Sequence, residues 1–174
     1  MYNNTEYGFQ ILYPQDWTFI EGDTKPGDYI TDIVVFEPLG EQGKHYSKKV
    51  TCGEVCLAIT TFSSTLGPST LQLWSDDLYN GQKEQKSFNL LEFKTDSVNT
   101  LGNKKALELA FESKQGKREY VTKYMGFLYP DPDANESNTL FTITSKTRDK
   151  YSDQMIPLTQ TMVDSFRYTK NNTQ

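Results

Sequence analysis

Cys52 and Cys56 offer this chain its most informative local chemistry: they are its only cysteines, separated by Gly53-Glu54-Val55. On an extended strand, residues four apart lie roughly 13 Å from one another, beyond the ~7 Å between Cα atoms that a disulfide spans. A bond therefore requires a turn at Gly53-Glu54, which the glycine makes accessible. Three states are open to the pair: a disulfide if the compartment is oxidising, two free thiols, or half of a metal site. A zinc site needs two further ligands, of which His45 supplies at most one. The redox motif has two intervening residues, and this pair has three.

The stretch Pro130-Asp131-Pro132-Asp133-Ala134-Asn135-Glu136 sets oxygen ligands at alternate positions, Asp131, Asp133 and Asn135, as a calcium loop of the EF-hand type begins. Glu136 stands where that loop needs glycine, and Thr142 stands where it needs a bidentate glutamate. A solvated hairpin loop is the ordinary reading and weak calcium binding the alternative; no other cofactor is implied. His45, the one histidine, lies in the polar run Gly43-Lys44-His45-Tyr46, so no catalytic triad can be assembled. Glycine-rich phosphate loops and the nucleophile elbow are also missing, so nothing in the sequence marks an enzyme. Sequons at Asn3, Asn135 and Asn171 are candidate glycosylation sites and favour an outward-facing protein.

Short apolar runs divided by polar turns must position these residues. Tyr7 to Tyr13 alternates, with Phe9, Ile11 and Tyr13 on one face, until Pro14 ends the strand and Trp17-Thr18-Phe19-Ile20 follows. Ile33-Val34-Val35-Phe36 is apolar on both faces, as a covered central strand should be, and Val55 to Phe62 reads the same way. Ser69 or Thr70 can cap a helix whose Leu71, Trp74 and Leu78 recur at helical spacing, with Asp76, Asp77 and Gln82 outward. A meander follows: Leu90 to Thr95, Lys104 to Ser113, Glu119 to Tyr129 and Thr139 to Thr147. The run Leu107 to Glu112 alternates strictly and turns back through Lys114-Gln115-Gly116-Lys117. A last helix begins near Ser152-Asp153, carries Tyr151, Met155, Leu158, Met162 and Phe166 on one stripe, and should hold Pro157 in its first turn.

A length of 174 residues without linker, repeat or composition break predicts one domain over 1–174, with an ordered core over about 6–169 and frayed termini. Net charge is −5 and pI about 4.9, a balance that does not supply a phosphate-binding surface and so predicts no nucleic-acid partner. The one basic run, Lys44 to Lys49, is short and reads as a solvated loop. No window matches a membrane span, and Met1-Tyr2-Asn3-Asn4-Thr5 is not a signal peptide, although a leader or anchor ahead of the printed sequence is compatible with all of this.

Tyr7-Gly8-Phe9-x-Ile11-x-Tyr13-Pro14-x-Asp16-Trp17 resembles the first hairpin of PsbP-like domains, and Tyr151-Ser152-Asp153 to Met162-Val163-Asp164-Ser165-Phe166 resembles their final helix with its Ser-Phe ending. Asp32 to Phe36 and Leu101 to Ala106 fall between them in the family's order, so the resemblance spans nearly the whole chain. It implies an α+β fold of the Mog/PsbP type: a central antiparallel sheet of about six or more strands with helices on both faces, an α/β/α sandwich. The family includes extrinsic photosystem subunits, a eukaryotic binder of a Ran-type GTPase, and archaeal and bacterial domains; this chain resembles the last, non-photosynthetic group. The photosystem subunits' metal positions have no counterpart here, and Tyr7, Phe9, Tyr13 and Trp17 are the residue types that pack a core.

The expected function is a non-enzymatic extracytoplasmic binding or assembly module acting on a protein or membrane complex; a cytoplasmic location is the alternative. A small-ligand carrier with Trp74, Tyr79, Tyr124 or Tyr129 lining a cleft between sheet and helix is the second reading. A hydrolase built on an unrecognised carboxylate pair is the third.

Overall fold

The computed structural model describes residues 1–22, 30–40, 52–62, 71–84, 87–98, 105–130 and 138–169. Most of them belong to one seven-stranded antiparallel sheet, ordered β3-β4-β5-β9-β8-β7-β6. Its strands are β3 (Trp17–Glu21), β4 (Ile30–Pro38), β5 (Val55–Phe62), β6 (Asn89–Val98), β7 (Lys105–Gln115), β8 (Arg118–Pro130) and β9 (Asn138–Arg148). The meander from β6 to β9 runs as the alternation predicts. Gly116, with φ +66°, supplies the left-handed residue of the two-residue turn between the paired Gln115 and Arg118.

The two helices cover opposite faces of this sheet, and strand alternation shows which. Helix α2 (Ser152–Asp164) lays Met162, Val163 and then Phe166 on Leu57, Ile59, Met125, Phe127, Phe141 and Ile143. Helix α1 (Leu71–Lys83) lays Trp74, Leu71 and Leu78 on Phe62, Leu107, Tyr124 and Leu140, residues of opposite parity on the same strands. Trp74 lies so close over β8 that a Cβ at Gly126 would stand 2.7 Å from ring atom Cε3. Glycine is required there by the approach of the ring, not by turn geometry.

A second, three-stranded sheet joins the chain ends on the α2 face: β1 (Tyr2–Asn4), β2 (Phe9–Ile11) and β10 (Arg167–Tyr168), in the order β1-β2-β10. It corrects the expected first hairpin. Gly8 has φ +67° and Tyr7 donates its N–H to Asn4 Oδ1 at 2.8 Å, so Tyr7-Gly8 closes a β1–β2 turn instead of extending the strand. β2 then pairs with β1 and β10, while β3 pairs with β4. Tyr2 of β1 is itself buried, 4% exposed. The Ser-Phe ending has a physical role: Ser165 Oγ accepts the Leu12 N–H at 2.9 Å and Phe166 stacks on Phe9 at 5.1 Å.

Pro157 is the other correction. It sits in the second turn of α2, because a 3-10 turn at Asp149–Tyr151 delivers the chain to a helix that already starts at Ser152. Its missing N–H would have bonded to the Asp153 carbonyl, and both residues face solvent, where water can take that acceptor. Lys123 also fastens α2 to the sheet, donating to Gln160 Oε1 at 2.8 Å and pairing with Glu108 Oε2 at 3.2 Å.

Two expectations follow. Gly126→Ala should destabilise the fold by about 1–3 kcal/mol through overpacking against Trp74, measured by denaturant unfolding, and Trp74→Leu should remove most of that penalty in the double variant. The Tyr2 phenol, which donates to Glu21 Oε1 at 2.9 Å, is pushed up to about 12, first by burial. A folded pKa above the unfolded value near 10 gives stability that is complete below pH 10 and lost as pH rises towards 12. An ultraviolet titration should show one tyrosine ionising near the upper value, and Tyr2→Phe should remove that step.

Candidate functional site

Cys52 and Cys56 are joined as a disulfide with their Cα atoms 5.4 Å apart. The bond exists because Cys52, Gly53 and Glu54 lie outside the strand and bend, so that β5 begins only at Val55. Among the three states open to the pair, the structure takes the first. Held inside this five-residue ring, Glu54 becomes the meeting point of three cations. Its Oε1 lies 2.9 Å from Arg148 Nη1 and 3.2 Å from Arg118 Nη1, and its Oε2 lies 3.8 Å from Lys150 Nζ. The Glu54 carbonyl also accepts the Arg148 N–H at 2.8 Å, continuing the β5–β9 ladder past Val55↔Thr147.

Beside this ring, on the α1 face of the sheet, lies a hollow of about 310 Å³. α1 covers the part of that face nearest Leu107, Gly126 and Leu140, and leaves the rows of Phe111-Thr122-Lys146-Cys56 and Tyr124-Thr144-Ala58-Val35 as a floor. Gln82 of α1, Cys52 of the ring and Asp32 of β4 also line it. Lys146 is the one cation among the described lining residues. Its Nζ stands 4.3 Å over the Tyr120 ring and 3.3 Å from Gln115 Oε1, and burial lowers its pKa. Tyr124 stacks on Phe111 with centroids 5.7 Å apart, and burial raises its phenol pKa. Asp32 accepts from the Thr60 hydroxyl at 3.0 Å.

The expected residues distribute unevenly over this geometry. Of the four cleft aromatics, Tyr124 lines the hollow; Trp74 is buried against Gly126, and Tyr79 packs edge-on to Phe88 at 5.8 Å. Tyr129 falls within β8, but its side chain lies outside the described residues, as do His45, Lys44 to Lys49, Asp131, Asp133, Asn135, Asn171 and the helix-capping Ser69 and Thr70. Asn3 is exposed on β1. Among the described residues no group of three or more His, Cys, Asp or Glu side chains is placed to hold a metal. Three carboxylates, Glu112, Glu119 and Asp149, do share a second hollow of about 190 Å³. There Glu112 accepts from Asn89 Nδ2 at 2.9 Å and Glu119 pairs with Lys114 at 3.0 Å.

Comparison with solved structures settles the architecture. LpqN, involved in cell envelope biogenesis of Mycobacterium tuberculosis, is similar over 97% of this chain and 88% of its own, at 11% identity and a TM-score of 0.61. Cyanobacterial PsbP (CyanoP) from Synechocystis sp. PCC 6803 is similar over 96% of this chain and 90% of its own, at 18% identity and a TM-score of 0.55. The fold is PsbP-like. No family model matches the sequence, and no curated protein matches it.

Within that PsbP-like frame, sequence reasoning missed Lys146, Thr122 and Thr144. Their signal was present: on the paired strands β8 and β9, the residues that alternate with Met125, Phe127, Phe141 and Ile143 turn from apolar to hydroxyl- and amine-bearing towards one end. The Glu54 cluster was visible only as a charge between two cysteines.

Replacing both cysteines by serine, or reducing them, should cost about 2 kcal/mol, the loop-closure value for a ring this short. Melting should then fall by roughly 4–8 °C in calorimetry. Glu54→Gln in the oxidised protein should cost less, since Arg118 and Lys150 are about half exposed.

Proposed function

We propose that this protein is a non-enzymatic binding or assembly module that works outside the cytoplasm, on a protein partner or a membrane complex. The observation that carries the reading is the Cys52–Cys56 disulfide. Structural disulfides of this kind persist in oxidising compartments and are rare where glutathione keeps thiols reduced. The PsbP-like fold supports it, because one similar structure is of an envelope-biogenesis protein. Asn3, exposed on β1, is a place where a glycan would be tolerated. No described helix is long and apolar enough to cross a membrane, so attachment to a membrane complex would run through surface contacts or through chain beyond the described helices. The net charge of −5 speaks against nucleic acid as that partner.

A second reading, a small-ligand carrier, is favoured by one observation: the hollow beside α1 is lined by the stacked pair Phe111 and Tyr124 as well as by hydroxyls.

The compartment is tested by alkylating intact native cells with a maleimide before and after reduction. Cys52 and Cys56 should be alkylated only after reduction; alkylation of both beforehand overturns the extracytoplasmic reading. Mild crosslinking of the native membrane fraction followed by pull-down should recover the domain in a complex, and recovery only as a free chain counts against assembly.

A further inference from the structure

We infer that the hollow beside α1 binds a small aromatic carboxylate, its ring against Tyr124 and its carboxylate on the Lys146 ammonium; the inference rests on the carrier reading. A volume of about 310 Å³ suits a ligand of that size. The floor is made of short side chains, Ala58, Thr122 and Thr144, so a flat ligand can lie on the sheet beside Tyr124, whose ring is held from behind by the buried Phe111.

The chemistry of the lining selects the charge. Lys146 is held by a ring face and an amide oxygen, both neutral, and it is removed far enough from water to lower its pKa. An anion beside it would restore the charge balance that burial takes away. Thr122 sits directly across from Lys146 in the β8–β9 register and can donate to the same carboxylate. Tyr124, whose phenol burial keeps protonated, is a second neutral donor two residues along.

Asp32 does not neutralise this position. It pairs with Thr60, four residues along β5 from the Cys56 that faces Lys146, which is roughly 13 Å away by strand rise. Its carboxylate already accepts the Thr60 hydroxyl. A single lysine among hydroxyls matches a monoanion; a phosphate group calls for the forked donors of arginine or several lysines. The polar side chains of Ser113, Gln115 and Gln82 leave no continuous apolar surface for an alkyl tail.

Three probes that share one ring separate the possibilities: indole-3-acetate, indole and tryptamine, titrated to millimolar concentration into the nitrogen-15-labelled protein. Indole-3-acetate should shift the amides of Phe111, Thr122, Tyr124, Thr144 and Lys146, and bind about tenfold more tightly than indole, as one charge-assisted hydrogen bond predicts. Lys146→Met should abolish that preference while the remaining resonances report an intact fold. Equal binding of indole and indole-3-acetate, unchanged in K146M, overturns the carboxylate inference and leaves the carrier reading standing. Preference for tryptamine overturns it in favour of Asp32. No shift with any probe overturns the inference and the carrier reading together.

Discussion

Phe127 lies where three layers meet, and the fold depends on the contacts it makes. Its ring runs parallel to that of Phe141 on the next strand, with centroids 5.7 Å apart. Phe166, arriving from the end of α2, meets it edge-on at 5.7 Å, and Tyr168 of β10 does so at 6.1 Å. Phe9 of β2 then stacks on Phe166. The large sheet, the second helix and the small sheet therefore share one aromatic cluster, in which each ring pair adds about 0.5–1.5 kcal/mol beyond its buried area. Because β2 and β10 come from opposite ends of the chain, this cluster closes only when nearly everything between them is in place. Such long-range closure is the kind that makes folding slow and cooperative.

Among the described residues the opposite face has no such closure. α1 is one helix of thirteen residues, anchored by Trp74 over Gly126, and it reaches only part of the sheet. Sequence follows coverage: beneath α1 the strands present Phe62, Leu107 and Leu140, and beyond it they present Thr122, Thr144 and Lys146. A strand can be buried on one face for its whole length and on the other for half of it. That half-length change is what turns a flat layer into a hollow with a largely polar floor.

This difference also sets what could be read from the residues alone. The meander, the two helical stripes and the doubly buried Ile33 to Phe36 were legible because a covered face repeats with period two or three to four, and the repeat is strong in the sequence. The small sheet was not, since three-residue strands carry no period and the pairing of Phe9 with Tyr168 is invisible to any local window. Tyr7-Gly8 reads as strand by alternation and folds as turn because Asn4 captures the Tyr7 N–H, a contact that competes with the ladder. Pro157 was misplaced because helix-start signals come from local chemistry, and the 3-10 turn before Ser152 has none of the usual capping bonds. Of the candidate site, the cysteine pair was legible as a geometric condition, namely that a turn must separate the two residues. The hollow was not, because it is defined by which rows α1 fails to cover.

The disulfide ring and the hollow are parts of one arrangement. Closing Cys52 on Cys56 fixes the backbone around Glu54, and Glu54 in turn binds Arg148 of β9 through both its carbonyl and its carboxylate, and Arg118 of β8 through the carboxylate. Each of these ion pairs is partly exposed and weak alone. Sharing one acceptor that the ring already holds in place removes most of the ordering entropy that makes exposed pairs weak, so the three strand ends are fixed together. Cys56 stands opposite Lys146 in the same register, and Cys52 forms part of the rim of the hollow. The bond that fixes the strand ends therefore also ties the rim of the hollow at Cys52 to the strand position that stands opposite Lys146.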